Sequence, residues 1–187
     1  MQPVWCFTPP NAADPPFTVH TGLYAATRAM FILRSLTPHD ADQVHAFTVE
    51  QWGAHTVVVH DAVYAPHTLP GFVAVLDAAW LGLITYHVAN DACEIVTLAS
   101  MREGMGVGTA LVETVADEAR RVGCTRVWLI TTNDNLHALR FYQKRGFRLV
   151  AVHRDAVDRA RKVKPEIRLV GNDGIPLHDE IELELTV

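Results

Sequence analysis

Cysteine is scarce in this chain, and what there is does not pair. Cys6, Cys93 and Cys124 are an odd number, with spacings that fit neither a disulfide framework nor a metal knuckle. Cys93 and Cys124 lie in or beside apolar strand-like runs. They read as buried reduced thiols, and the compartment as cytoplasmic. No apolar run approaches ~18 residues, so no membrane-spanning helix is expected. The first residues lack a basic segment followed by an apolar core, so no secretory signal is expected. Basic residues are not in excess: 16 Lys and Arg face 21 Asp and Glu, a net charge of -5. That balance argues against a nucleic-acid binder. The ten histidines show no pair at metal-ligand spacing with a third ligand beside it, so no metal site is expected.

What is present suits a globular protein: 49% of the residues are hydrophobic and 20% are charged. Prolines cluster at the start, where Pro3, Pro9, Pro10, Pro15 and Pro16 are half of the chain's ten. Residues 1–30 therefore read as a poorly ordered arm, or as a stretch ahead of a true start at Met30. Residues 31–187 read as a single domain.

Within it the elements alternate. Phe31 to Leu36 is a strand. Thr37 and Pro38 start a helix, as N-cap and first-turn residue, that runs to about Trp52. Thr56 to His60, Gly71 to Leu76, Trp80 to Val88 and Cys93 to Ala99 are strand candidates, with Asn90-Asp91 a hairpin turn. Val107, Leu111, Val115, Ala119 and Val122 recur at helical spacing on one face, and Gly123 ends that helix. Thr125 to Thr131, apolar on both faces, is a covered central strand. A helix from Leu136 to Arg145 and a strand from Phe147 to His153 follow. Asp155 to Lys164 is a further helix, and Ile181 to Val187 alternates as a half-exposed last strand. The order predicts α/β layers around a mixed sheet.

The segment that carries chemistry is Glu103-Gly104-Met105-Gly106-Val107-Gly108-Thr109. It follows an apolar strand and opens an amphipathic helix. Glycines at alternate positions bare the backbone where free N–H groups and the positive end of the helix dipole point outward, an arrangement that binds phosphate. A P-loop would need Gly-Lys-Ser/Thr, and no lysine is here. A dinucleotide site would need G-x-G-x-x-G and an acid ending the next strand, which instead ends in Ile130-Thr131-Thr132.

Gly106 and Gly108 resemble the glycines of motif A in the GNAT superfamily of acyl-CoA N-acetyltransferases. Glu103 stands where that motif carries Arg or Gln, and Arg102 precedes it. The stretch from Thr131 to Phe147 is similar to the family's motif B, with Asn135, Ala138, Tyr142 and Gly146-Phe147 in register. The resemblance implies a mostly antiparallel sheet of six to seven strands, flanked by helices and splayed between the fourth and fifth. It implies acetyl-CoA as co-substrate, held by the backbone of Met105, Gly106, Val107, Gly108 and Thr109, with Leu98 and Asn135 lining its groove. The reaction implied is acetyl transfer to a primary amine of a small molecule or peptide, by direct attack in a ternary complex. The alternative is a non-catalytic acyl-CoA-binding or sensor module.

Two chemical roles need residues. Tyr142 matches the family's general acid for the leaving thiolate. An alkylamine with a pKa near ~10 must lose a proton before attacking, and Glu94 is the candidate base, with His87 on the preceding strand as the alternative. Glu94 lies four positions before Leu98, so both are expected on one strand face, about 13 Å apart, with a water relay between. The segment around Trp52 is expected to shape the acceptor pocket. The basic run Arg154, Arg159, Arg161, Lys162 and Lys164 reads as a solvated helix face, or as a contact for the 3′-phosphate of CoA. A homodimer pairing through the alternating last strand is compatible with the pattern.

Overall fold

The protein is described from a computed structural model. It covers residues 31–59, 62–102 and 104–187, with the side chains of Trp52 and Val59 excepted. The expected arm at residues 1–30, Glu103 and the side chain of Trp52 lie outside the described residues.

Seven strands form one sheet: β1 (Ile32–Ser35), β4 (Gly71–Leu76), β5 (Ala79–Ala89), β6 (Ala92–Ser100), β7 (Arg126–Thr132), β9 (Glu180–Thr186) and β8 (Arg148–His153), in that spatial order. Two short strands, β2 (Val57–Val59) and β3 (Ala62–Tyr64), make a separate hairpin. The helices are α1 (Ala41–Trp52), α2 (Val107–Arg121), α3 (Leu136–Gln143) and α4 (Ala156–Val163). All neighbours in the main sheet are antiparallel except β6 and β7. No helix among the described residues is long and apolar enough to cross a membrane.

The sheet buries both faces. On one, α2 lays Val107, Leu111, Val115 and Ala119 against Ile84, Leu98 and Leu129 in the main core, and α3 adds Ala138 and Tyr142. Each fully buried aliphatic there contributes about 1.5–3 kcal/mol. Val122, expected on this face, is 45% exposed, because α2 ends at Arg121 and Val122 is its cap. On the other face, Val44 and Phe47 of α1 pack with Val57, Leu83, Val96 and Ile130. The entry to α1 is fixed by Asp40, which accepts from the Thr37 amide (2.8 Å) and from Arg34 (2.7 and 2.8 Å). The Arg34 guanidinium, with Thr37, holds the Asp40 carboxyl well below the usual carboxylate range.

Two expectations are corrected here. The last strand is not an edge: β9 is inserted between β7 and β8, so both its sides are already paired and it offers no ladder to a second copy. The basic run is a solvated face only in part: Arg154, Arg159 and Lys162 are exposed, but Arg161 and Lys164 are engaged with the protein. Arg161 bonds Asp158 and the carbonyls of Ile167, Arg168 and Leu177, while the buried Lys164 donates to the carbonyl of Thr56 at 3.5 Å. Burial pushes the Lys164 ammonium down from its ordinary pKa.

The segment between α4 and β9 is pinned to the turn that follows β7. Asn133 donates to the Pro176 carbonyl (2.8 Å) and accepts from the amides of His178 and Asp179 (3.1 and 3.0 Å). Buried Asp134 accepts from Thr132 and from the Asn172 amide (2.7 Å). A Cβ at Gly171 would lie 2.0 Å from the Asp134 carboxylate, so only glycine fits beneath it. Gly171→Ala is expected to cost about 1–3 kcal/mol in a urea titration. It should raise amide exchange in the 165–179 segment before any change in α2.

Candidate active site

The glycine turn forms as expected. Gly104 and Gly106 have φ of 70° and 73°, the left-handed region, and a Cβ on either would meet nothing within 4 Å. They are needed for conformation, and the space above them is open. Gly106 is the N-cap of α2 and no side chain caps it. Its carbonyl accepts from Ala110 (3.0 Å), which leaves the amides of Val107, Gly108 and Thr109 without intrahelical partners. No acidic side chain occupies the first turn of α2. Gly108 is buried against the edge of the Phe141 ring, and Met105 packs on the core. An open, uncapped helix start of this kind fits an anion.

A cation that the sequence reading missed stands beside it. Arg145, just after α3, donates to Thr109 Oγ1 (3.1 Å from Nε) and to the Phe141 carbonyl (2.6 Å). Its guanidinium lies 3.4 Å over the Phe141 ring. The signal was obscured because Arg145 lies 36 residues beyond Thr109 and its position depends on how α3 docks.

β6 and β7 part company beside this turn. Their parallel pairing is confined to Ala92–Ile95 against Arg126–Leu129, although β6 continues to Ser100 and β7 to Thr132. The splay expected between the fourth and fifth strands of the sheet is therefore present. On β7 beyond the ladder, the hydroxyl of Thr131 is buried with no hydrogen-bond partner. That orphaned polar atom fits a split that receives a ligand.

The strand β6 is itself irregular. Thr85 pairs with Thr97, yet Tyr86 pairs with Ile95, so Val96 is an extra, bulged residue. A bulge reverses the alternation of side chains. Glu94 and Leu98 consequently point to opposite faces, against the expectation that they share one. Leu98 joins the core beneath α2, whereas Glu94 turns to the face that carries α1 and the β2–β3 hairpin.

Glu94 is 4% exposed. The Tyr64 hydroxyl of β3 donates to its Oε2 at 2.7 Å. Burial pushes the Glu94 pKa up, opposed by the Tyr64 bond and by His87, its register partner on β5. Glu182 on β9, itself bonded to Arg126 (3.3 Å) and His153 (3.0 Å), pushes the same way as burial. The His87 and Tyr64 rings are 5.6 Å apart. Burial and the carboxylate together raise the Tyr64 hydroxyl pKa. Sequence reasoning found Glu94 and His87 but not Tyr64, which sits in a three-residue strand with no motif around it.

The second motif also folds as expected at its start. Asn135 is the N-cap of α3, and its side-chain oxygen accepts from the Ala138 amide at 3.0 Å. Tyr142 is 1% exposed, its ring edge-on to Phe141 and Phe147 at 5.0 and 5.2 Å. It belongs to the same core as Leu98 and Val107. Among the described residues no three His, Cys, Asp or Glu side chains are placed to hold a metal ion.

Comparison with known proteins agrees with this fold. A family model described as "Acetyltransferase (GNAT) family" matches residues 32–147. The YxbD protein of Bacillus subtilis (strain 168) is 45% identical over 143 residues, 76% of this chain and 90% of that one. A streptothricin acetyltransferase of Streptomyces lavendulae is 36% identical over 86 residues, 46% of this chain and 42% of that one. Among solved structures, the ribosomal-protein-S18-alanine N-acetyltransferase of Escherichia coli superposes with a TM-score of 0.60 at 20% identity, covering 84% of this chain and 94% of that one. A Bacillus subtilis acetyltransferase in complex with CoA does so at 0.59 and 19%, covering 86% and 99%.

A raised carboxylate pKa has a signed consequence for stability. The folded protein binds a proton at Glu94 more tightly than the unfolded chain does. The acid form therefore favours folding, and that contribution is lost as pH rises through the folded pKa. Glu94→Gln should unfold at a higher temperature than the parent at pH 8. The advantage should shrink as pH falls from the raised folded value toward the unfolded glutamate value of about 4.3, and be gone below it. Melting curves across pH check both signs.

Proposed function

The chain belongs to the acetyltransferase (GNAT) family, and from that premise we propose that it moves an acetyl group from acetyl-CoA to a primary amine of a small molecule or peptide. The attack is direct, within a ternary complex. The observation that carries this reading is the arrangement around the β6–β7 split. An open, uncapped helix start lies on one face, and a buried carboxylate lies on the other.

Acetyl-CoA, when bound, supplies an activated thioester carbonyl. The backbone of Met105 to Thr109 holds its pyrophosphate, with Arg145 adding positive charge beside Thr109. Leu98 contributes backbone to the wall of the split, where N–H groups no longer paired to β7 can donate to a developing oxyanion. One such donor is typically worth ~3 kcal/mol. Asn135 fixes the start of α3 and lines the groove.

The amine approaches from the α1 and hairpin side, where Glu94 receives its proton. The bulge at Val96 makes this an attack across the sheet, with a relay water joining Glu94 to the amine. Tyr142 returns a proton to the thiolate from within the core, where its ring is shielded from bulk water. The neighbours support an amine acceptor in general. One acts on a ribosomal protein and one relative on streptothricin, by their names.

Isothermal titration with acetyl-CoA is the first test, and absence of binding at millimolar ligand ends the proposal. A thiol-release screen over polyamines, amino acids, aminoglycosides and peptides follows. Binding without release from any amine would instead favour an acyl-CoA-binding module. With an active amine in hand, Tyr142→Phe should lower kcat by about 10²-fold with little change in acetyl-CoA binding. Glu94→Gln should lower kcat/KM by roughly 10²- to 10⁴-fold.

A further inference from the structure

The Glu94 carboxyl is held at Oε2, and the group that holds it comes from outside the main sheet. We infer that Tyr64 is a positioning residue for the reaction: its hydroxyl fixes Glu94 through Oε2 and leaves Oε1 for the acceptor amine or its relay water. The inference rests on the reading of Glu94 as base.

The geometry gives three supports. First, the contact is short, 2.7 Å, and joins residues 30 positions apart, so it depends on how the hairpin docks. Second, that docking is well determined. Val57 of β2 packs on Val44 and Phe47 side, and Val58 packs on Val157 and Ala160 of α4. Tyr64 itself packs against the Val57 cluster and its ring lies beside His87. Third, the contact has the right polarity. A buried carboxylate loses hydration, and a hydroxyl that donates to it replaces part of what water gave.

The other groups facing Glu94 cannot do the same. His87 from β5 acts on it through charge alone. Glu182 from β9 repels its ionised form and is occupied by Arg126 and His153. β7 brings Trp128 opposite Glu94, which does not titrate. Without Tyr64 the desolvated glutamate would hold its proton to a higher pH and be available as a base over a narrower range. Tyr64 would thus set the lowest pH at which the base is available, and would stand in the wall that the amine meets.

The test reads Glu94 directly. Protein carrying ¹³C-labelled glutamate is titrated by NMR, with the Glu94 carboxyl signal assigned by its absence in Glu94→Gln. Tyr64→Phe removes the donor and should raise the midpoint by about one pH unit, a tenfold tighter hold on the proton. Replacing Tyr64 with 3-fluorotyrosine keeps the ring, makes the hydroxyl a stronger donor, and should move the midpoint down. The fluorinated protein decides the matter if Tyr64→Phe does not fold.

A midpoint that moves in neither variant overturns the inference, whatever Glu94 does in catalysis. A Glu94→Gln protein that keeps its kcat/KM with the amine from the thiol-release screen overturns the base reading instead. In that case the contact is structural, even if the midpoint moves. If both readings hold, the acidic limb of the kcat/KM profile shifts in Tyr64→Phe by the same interval as the NMR midpoint.

Discussion

The site depends on one unequal pairing. β6 is bonded to β5 along nearly its whole length, yet to β7 for only four residues. Backbone N–H and C=O groups in the middle of a sheet ordinarily have no reason to go unpaired, and leaving them so is costly unless water or a ligand takes them up. The opening therefore has to be held by something else. α2 holds one side by packing on β5, β6 and β7 at once, and the antiparallel ladder of β7 with β9 holds the other. The bulge at Val96 then decides which side chains see which face. The glycine turn and Leu98 belong to the α2 face. Glu94 belongs to the opposite one.

Much of this was legible in the sequence, and for identifiable reasons. The steps of four from Val107 to Ala119 marked α2 and its buried face. Glycines at 104 and 106 marked the turn before it, because few other residues accept a positive φ there. Asn135, in register with the second motif, marked the start of α3. These are local signals, read within a few residues. The misses are not local. The bulge leaves little mark in the β6 pattern, since apolar residues fall on both faces between Cys93 and Ala99 and blur the alternation of Glu94 and Thr97. Tyr64 is carried by a three-residue strand that pairs with another of three. The Asp77-Ala78 hairpin has both residues at positive φ, but alanine gives no turn signal. Arg145 and Arg161 find their partners 36 and up to 16 residues away, across contacts that only the finished fold creates.

The two sides of the site share a single turn. Asn133, Asp134 and Asn135 are consecutive, and each ties down a different piece of chain. Asn133 holds residues 176–179, Asp134 holds residues 171–172 and Asn135 holds the first turn of α3. Those first two segments lie between α4 and β9, while α3 carries Tyr142 on the face proposed for the donor. Asp134 is the pivot, buried and bonded on both oxygens.

The place of β9 in the sheet also bears on how the molecule is made. In chain order β9 follows every other element, yet in space it lies between β7 and β8. β7 and β8 are synthesised before the strand that joins them, so the sheet cannot close between them until that strand is available. The half of the sheet that backs the β6–β7 split stays open until residues 180–186 arrive. Until then β7 exposes an unfilled edge rich in β-formers, the kind of surface that invites pairing with other chains. Assembly of the site is thus a late event, and the interval before it is when a nascent chain is most exposed to mispairing.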